Sequence, residues 1–182
     1  MPSETDDAPF ALAAIVFERD EDPDSPLSAF VSGLTARGLR IGGLLQEHGE
    51  GADGSRHDVG VFNIETGERL AVMQDLGAEA TGCRVDPAAI AVAARQLGDA
   101  IEGRPQLVVA NRFGRLESEG GGMIAEIGEA VAEGVPLIVC VPRRFLDAWN
   151  GFADGLDVQL PPCREAIEAW WATVAPSPFS AA

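Results

Sequence analysis

The chain contains no lysine: all 13 basic residues are arginine, set against 29 acidic residues for a formal net charge of −16. Without an ammonium group there is no Schiff base and no lysine to reach the outer phosphates of a triphosphate. What remains is the guanidinium, a planar, bidentate reader of carboxylates and oxyanions; a GC-rich coding bias would produce the same composition. The acidic surplus argues against nucleic acid or an anionic membrane as the main partner. His48 and His57 are the only histidines, too few for a multi-histidine metal site, and no Ser–His–Asp arrangement is readable around them. Cysteine is also scarce. Cys83, Cys140 and Cys163 form an odd set at wide spacing with no CxxC pair, so no disulfide framework is expected. Cys140, inside VPLIVCV, is expected to be a small core residue. No apolar run approaches the length that spans a bilayer. The opening MPSETDDAPF lacks the basic-then-apolar order of a signal peptide. The expectation is a soluble, cytoplasmic protein with no metal and no cofactor.

Its 182 residues, 46% of them hydrophobic, suffice for one α/β domain with a sizeable core. A loose arm is expected over 1–9, the domain over 10–175 and a tail over 176–182. Phe10–Phe17 is a continuous apolar run of strand length, as for a strand buried on both faces. After the acidic loop ERDEDPDSP, Ser25 is the expected N-cap, with Pro26 at the first helical position, of a helix carrying Leu27, Phe30, Val31 and Leu34 on one face and stopping at Gly38. Leu39–Gln46 is a second strand, with a Gly pair where another backbone can approach closely. A Gly-rich loop is expected over Glu47–Ser55.

DVGVFNI, a turn at Glu65–Gly67 and RLAVMQ then make a hairpin. Asp86 caps a long helix opening at Pro87. Leu107–Ala110 is a buried strand, followed by a helix over roughly Gly122–Glu133, the strand VPLIVCV ended by Pro142, a helix over RRFLDAWNGFADG, the short strand LDVQL and a closing helix, REAIEAWWATVA. The fold class predicted is a three-layer α/β sandwich, mainly parallel with an inserted antiparallel hairpin.

The stretch PQLVVANRFGRLESE organises the functional reading. Its strand stops abruptly and delivers Asn111, Arg112, Gly114, Arg115 and Glu117 to one loop, and ligands in such sheets collect beyond the carboxyl ends of the strands. Arg112 and Arg115 are donors of fixed geometry, and Gly114 permits close approach. The alternative is that Arg115 merely pairs with Glu117 or Glu119. Gln74, Asp75, Gly77, Cys83 and Arg84 lie in the loop after the hairpin and can fold over the same edge. There Arg84 would depress the Cys83 thiol pKa, unless Cys83 is simply a structural thiol. Arg143 and Arg144 either add charge at that edge or lie in solvent. Between the first strand and first helix, five of the eight residues Glu18–Ser25 are carboxylates and none is glycine. Each such charge opposes a triphosphate by a few kcal/mol at low effective dielectric, so no phosphate binding is expected there. A solvated loop is expected in preference to a metal site.

These elements, with GLTARGLRIGGLLQ, DVGVFNIETGERLAVMQDLG and NRFGRLE, resemble the small P-loop nucleoside-triphosphatases related to the human cancer-related NTPase. Where those enzymes carry acidic residues for magnesium and water, this chain has Ala110–Asn111. Where they carry Gly-Lys-hydrophobic-Glu, it has Gly114, Arg115, Leu116 and Glu117. A nearer resemblance is to a bacterial domain-of-unknown-function family often encoded near molybdate-transport or nitrogen-fixation genes. It rests on AAIVFERDEDPDSPLSAF, RGLRIGGLLQ, QDLG, GCRVD and NRFGRLESEG, and covers roughly Ala13–Pro162.

The resemblance implies a degenerate P-loop NTPase-like scaffold with its nucleotide machinery dismantled. Three functions are expected from it. The first is a non-hydrolytic small-anion-binding or regulatory protein, its ligand a small oxyanion or nucleotide, with molybdate implied only by the family. The second is a weak nucleoside-triphosphatase acting through Glu117 and Arg115. The third is a ligand-free homodimer joined through the helices of Trp149 and Trp170–Trp171. Trp170 and Trp171 are adjacent and cannot share one helix face, so one of them is expected at the surface or in a subunit contact.

Overall fold

The computed structural model describes residues 11–49, 58–72 and 85–175. The expected arm and tail, and the segment holding Gln74, Asp75, Cys83 and Arg84, lie outside the described residues. In chain order the elements are β1 (Leu12–Phe17), α1 (Asp24–Ala36), β2 (Ile41–Gly49), β3 (Asp58–Asn63), β4 (Arg69–Ala71), α2 (Pro87–Glu102) and β5 (Leu107–Arg112). Next come α3 (Arg115–Ser118), α4 (Ile124–Ala132), β6 (Leu137–Pro142), a 3-10 turn (Arg143–Phe145), α5 (Leu146–Ala153), β7 (Asp157–Leu160) and α6 (Arg164–Val174). One sheet joins all seven strands in the order β4-β3-β2-β5-β6-β1-β7. β2, β5, β6, β1 and β7 are mutually parallel, and β3 runs antiparallel between β2 and β4.

The continuous apolar strands have the cause expected of them. Successive side chains of β1 point to opposite faces, and both faces are covered. Ala13, Ile15 and Phe17 pack with α1 and α6, whereas Leu12, Ala14 and Val16 pack with α2, α4 and α5. Gly43, at φ 100, lies so close to β5 that a Cβ would stand 2.1 Å from the carbonyl oxygen of Val109. The close approach expected at the Gly pair is therefore real.

Three expectations change. β2 runs on to Gly49, because Gln46–Gly49 pair with Asp58–Val61 of β3, so the first part of the expected loop is strand. Ser25 does not cap α1. The helix starts at Asp24, and the Asp22 carboxylate takes the capping role, accepting from the amides of Asp24 (2.9 Å) and Ser25 (3.1 Å). An ionised acceptor one turn earlier outcompetes the hydroxyl. Asp86, by contrast, caps α2 as predicted, accepting from Ala88 at 2.9 Å. Finally, Trp170 and Trp171 are both buried, at 4% and 5% exposure. α6 rests on the sheet and also flanks α1, so two adjacent helix faces are covered, and Trp171 meets Phe30 edge-on at 6.3 Å. The exposed ring on which the dimer expectation stood is absent.

Candidate functional site

Three parallel neighbours, β5, β6 and β1, end side by side, and the chain uses each ending differently. At the end of β5 the ladder slips: Val109 faces Ile138, but Arg112, three residues on, faces Cys140, only two on. The surplus residue is Asn111, in the left-handed conformation at φ 59, which Asn tolerates better than most residues. A one-residue bulge reverses the facing of everything after it. Arg112 thereby leaves the face of Val108 and Ala110 and swings toward α1. There its Nη2 donates to both carboxylate oxygens of Asp24 at 2.8 Å, and its guanidinium lies 4.9 Å from the Phe17 ring centroid. The same slip sends Phe113 into the opposite core, where it meets Trp149 edge-on at 5.3 Å. Phe113 also donates its amide to the carbonyl of Cys140 at 2.9 Å.

Beyond the bulge, Glu117 braces the loop from inside. It is 7% exposed, and its two oxygens accept from the amides of Gly114 (2.9 Å) and Met123 (3.0 Å). The Gly114 amide, which the sequence offers to a ligand, is thus occupied by the chain's own carboxylate. Gly122, at φ 59, leaves room for this brace, since a Cβ there would fall 2.0 Å from the Glu117 Oε1. Arg115 points outward and pairs with Glu119 at 2.9 Å, the alternative its spacing allowed.

The ends of β1 and β6 complete a cleft of about 470 Å³. Five arginines line it, Arg19, Arg112, Arg115, Arg143 and Arg144, with Glu18 as the lining carboxylate and Phe17, Gly114, Pro142 and Phe145 as further wall. Arg143 pairs with Glu18 at 2.9 Å, and the Arg144 guanidinium lies 4.9 Å from the Phe145 ring centroid. Of the residues singled out from sequence, Arg112, Gly114, Arg115, Arg143 and Arg144 line this cleft. Asn111 and Glu117 line an adjoining hollow of about 320 Å³, which shares Arg112, Gly114 and Arg115 with it. Arg19, Phe17 and Phe145 were missed. Arg19 is embedded in the acidic loop, whose net charge hid it. The two phenylalanines are indistinguishable from core in a one-dimensional pattern.

Guanidinium groups hold their protons at any ordinary pH, so the arginines of this lining can attract an anion but cannot serve as proton donors or acceptors in catalysis. Cys140 beneath it offers no nucleophile: burial, abetted by Asp24, pushes its thiol up to about 12. Among the described residues no group of histidine, cysteine and carboxylate side chains is arranged to hold a metal ion. Nor is any described helix long and apolar enough to cross a membrane.

A mainly parallel sheet sandwiched by helices, with a cleft where β1, β5 and β6 end, defines a three-layer α/β protein. Two solved structures share the fold at a TM-score of 0.61. One is a human cancer-related nucleoside triphosphatase (15% identity, 82% of this chain and 87% of that chain). The other is THEP1 from the hyperthermophile Aquifex aeolicus (14% identity, 85% and 91%). The chain belongs to the family described as "Protein of unknown function (DUF2478)", which matches residues 12–170. It is also 33% identical over 163 residues to the molybdenum import ATP-binding protein ModC 2 of Bradyrhizobium diazoefficiens. That match covers 90% of this chain, which spans only 18% of the relative's length.

Proposed function

We propose that this protein binds a small anion in the arginine cleft without hydrolysing it, as a binding or regulatory component acting in the cytoplasm. The observation that carries the reading is the convergence of five of the chain's 13 arginines on one cleft in a molecule of net charge −16. Asp24, Glu119 and Glu18 offset three of these charges, and the remaining positive surplus favours an anion in the cleft. Two features speak against hydrolysis of a triphosphate at the usual place. The first amides of α1 are taken by Asp22, and Glu18–Ser25 holds neither glycine nor lysine. The relative named for molybdenum import directs the role toward oxyanion-linked metabolism.

The test is thermal shift with molybdate, tungstate, sulfate, phosphate, ATP and GTP, alongside assays for phosphate release. A true ligand stabilises the folded state by mass action. The expected outcome is stabilisation by at least one anion, reduced in Arg144→Gln, with no phosphate released. Release of phosphate from GTP would replace this reading with the weak triphosphatase. A flat response to every anion would remove the anion site altogether.

A further inference from the structure

The anion-binding reading leaves the kind of anion open, and the dimensions and wall chemistry of the cleft narrow it. A tetrahedral oxyanion has five heavy atoms and takes roughly the space of two or three waters, about 60–90 Å³ at the volume a water occupies in the liquid. The cleft is about 470 Å³, within the range of sites that enclose an organic ligand. A bare oxyanion would leave most of it to water.

The five arginines also divide. Arg112, Arg115 and Arg143 are committed to Asp24, Glu119 and Glu18. Among the described residues, Arg19 and Arg144 have no carboxylate partner. Two uncommitted guanidinium forks call for a dianion with at least three terminal oxygens, which a phosphomonoester supplies and a carboxylate does not. The remaining wall is suited to a flat ring. Arg112 over Phe17 and Arg144 over Phe145 are stacked guanidinium–phenyl pairs, surfaces on which planar unsaturated groups pack favourably.

We infer, on the basis of the anion-binding reading, that the cleft takes a phosphomonoester carried on a flat heteroaromatic body rather than a bare oxyanion. Arg19 and Arg144 hold the phosphate, and the ring lies against the guanidinium–phenyl stacks.

The experiment is titration calorimetry of the full chain with AMP, FMN, ribose 5-phosphate, adenosine, inorganic phosphate and molybdate. Stacking of one ring is worth about tenfold or more in affinity. AMP or FMN is therefore expected to bind at least about tenfold tighter than ribose 5-phosphate, inorganic phosphate or molybdate, with adenosine alone weak. Arg144→Gln, an exposed substitution, is expected to weaken every phosphate-bearing probe. Phe145→Leu, which keeps an apolar side chain but removes the ring, is expected to weaken AMP and FMN more than inorganic phosphate and so to shrink their advantage. Molybdate or phosphate binding as tightly as AMP and FMN would overturn the inference and leave the anion site standing. Binding of none of the anions would remove both.

Discussion

Between Val109 and Arg112 the ladder of β5 against β6 accommodates one extra residue, and Asn111 fills it with a left-handed backbone. The facing of Arg112 and Phe113 depends on it, so the residue carries more of the site than its own side chain does. Among the described residues the buried Oδ1 of Asn111 has no hydrogen-bond partner, and it is the left-handed backbone that sets the register. Asn111→Gly is expected to leave the urea midpoint nearly unchanged, because glycine adopts this conformation without steric cost. Asn111→Val is expected to cost roughly 1–3 kcal/mol, the range for a residue forced into a sparsely populated region, and to weaken anion binding by misdirecting Arg112. Equal stability of the two variants would show that the bulge is not held by its backbone. Asn111 and Arg112 were readable from sequence as site residues. The bulge was not, because a one-residue slip leaves no trace in an apolar run.

α1 shows how an element can keep its place and change its chemistry. Its entry loop carries five carboxylates, and the structure uses four of them internally: Asp22 caps the helix, Glu21 accepts from the Glu18 amide at 2.7 Å, Asp24 holds Arg112 and Glu18 pairs with Arg143. A helix N-terminus is a ready anion site because its first amides lack intrahelical partners, and here a side-chain carboxylate fills that role. Asp22→Ala is expected to lower stability by about 1 kcal/mol, the usual loss for a capping residue, measured by chemical denaturation. No change would mean that the capping bonds contribute nothing in solution. From sequence the carboxylates were legible as an obstacle to phosphate. Their individual assignments needed the turn of the loop.

Across the whole molecule, net charge and charge placement act in opposite directions. A charge of −16 repels itself, and raising NaCl from about 0.02 to 0.2 M shortens the reach of that repulsion. The melting temperature is therefore expected to rise over this range, while the anion affinity proposed for the arginine cleft is expected to fall. A melting temperature that drops with salt would mean that attractive pairs, rather than net repulsion, dominate the electrostatics. The tryptophans reverse the other whole-molecule expectation. Adjacent residues on an isolated helix must diverge, but α6 is enclosed on two sides, so both rings become core.

The order of strands and helices, the doubly buried strands, the Asp86 cap and the edge of the sheet where Arg112 and Arg115 emerge were all determined by the sequence alone. Each of these comes from local rules of periodicity, capping and chain termination, which operate over a few neighbouring residues. Only the tertiary structure decided that Arg19, from an acidic loop, joins Arg143 and Arg144 in one cleft, and that Glu117 turns inward to hold the loop's amides. It alone decided that Asp22 occupies the amides of α1. These are matters of which residues distant in the chain come within a few ångströms, and that depends on strand order and on a single bulge, neither of which is encoded locally.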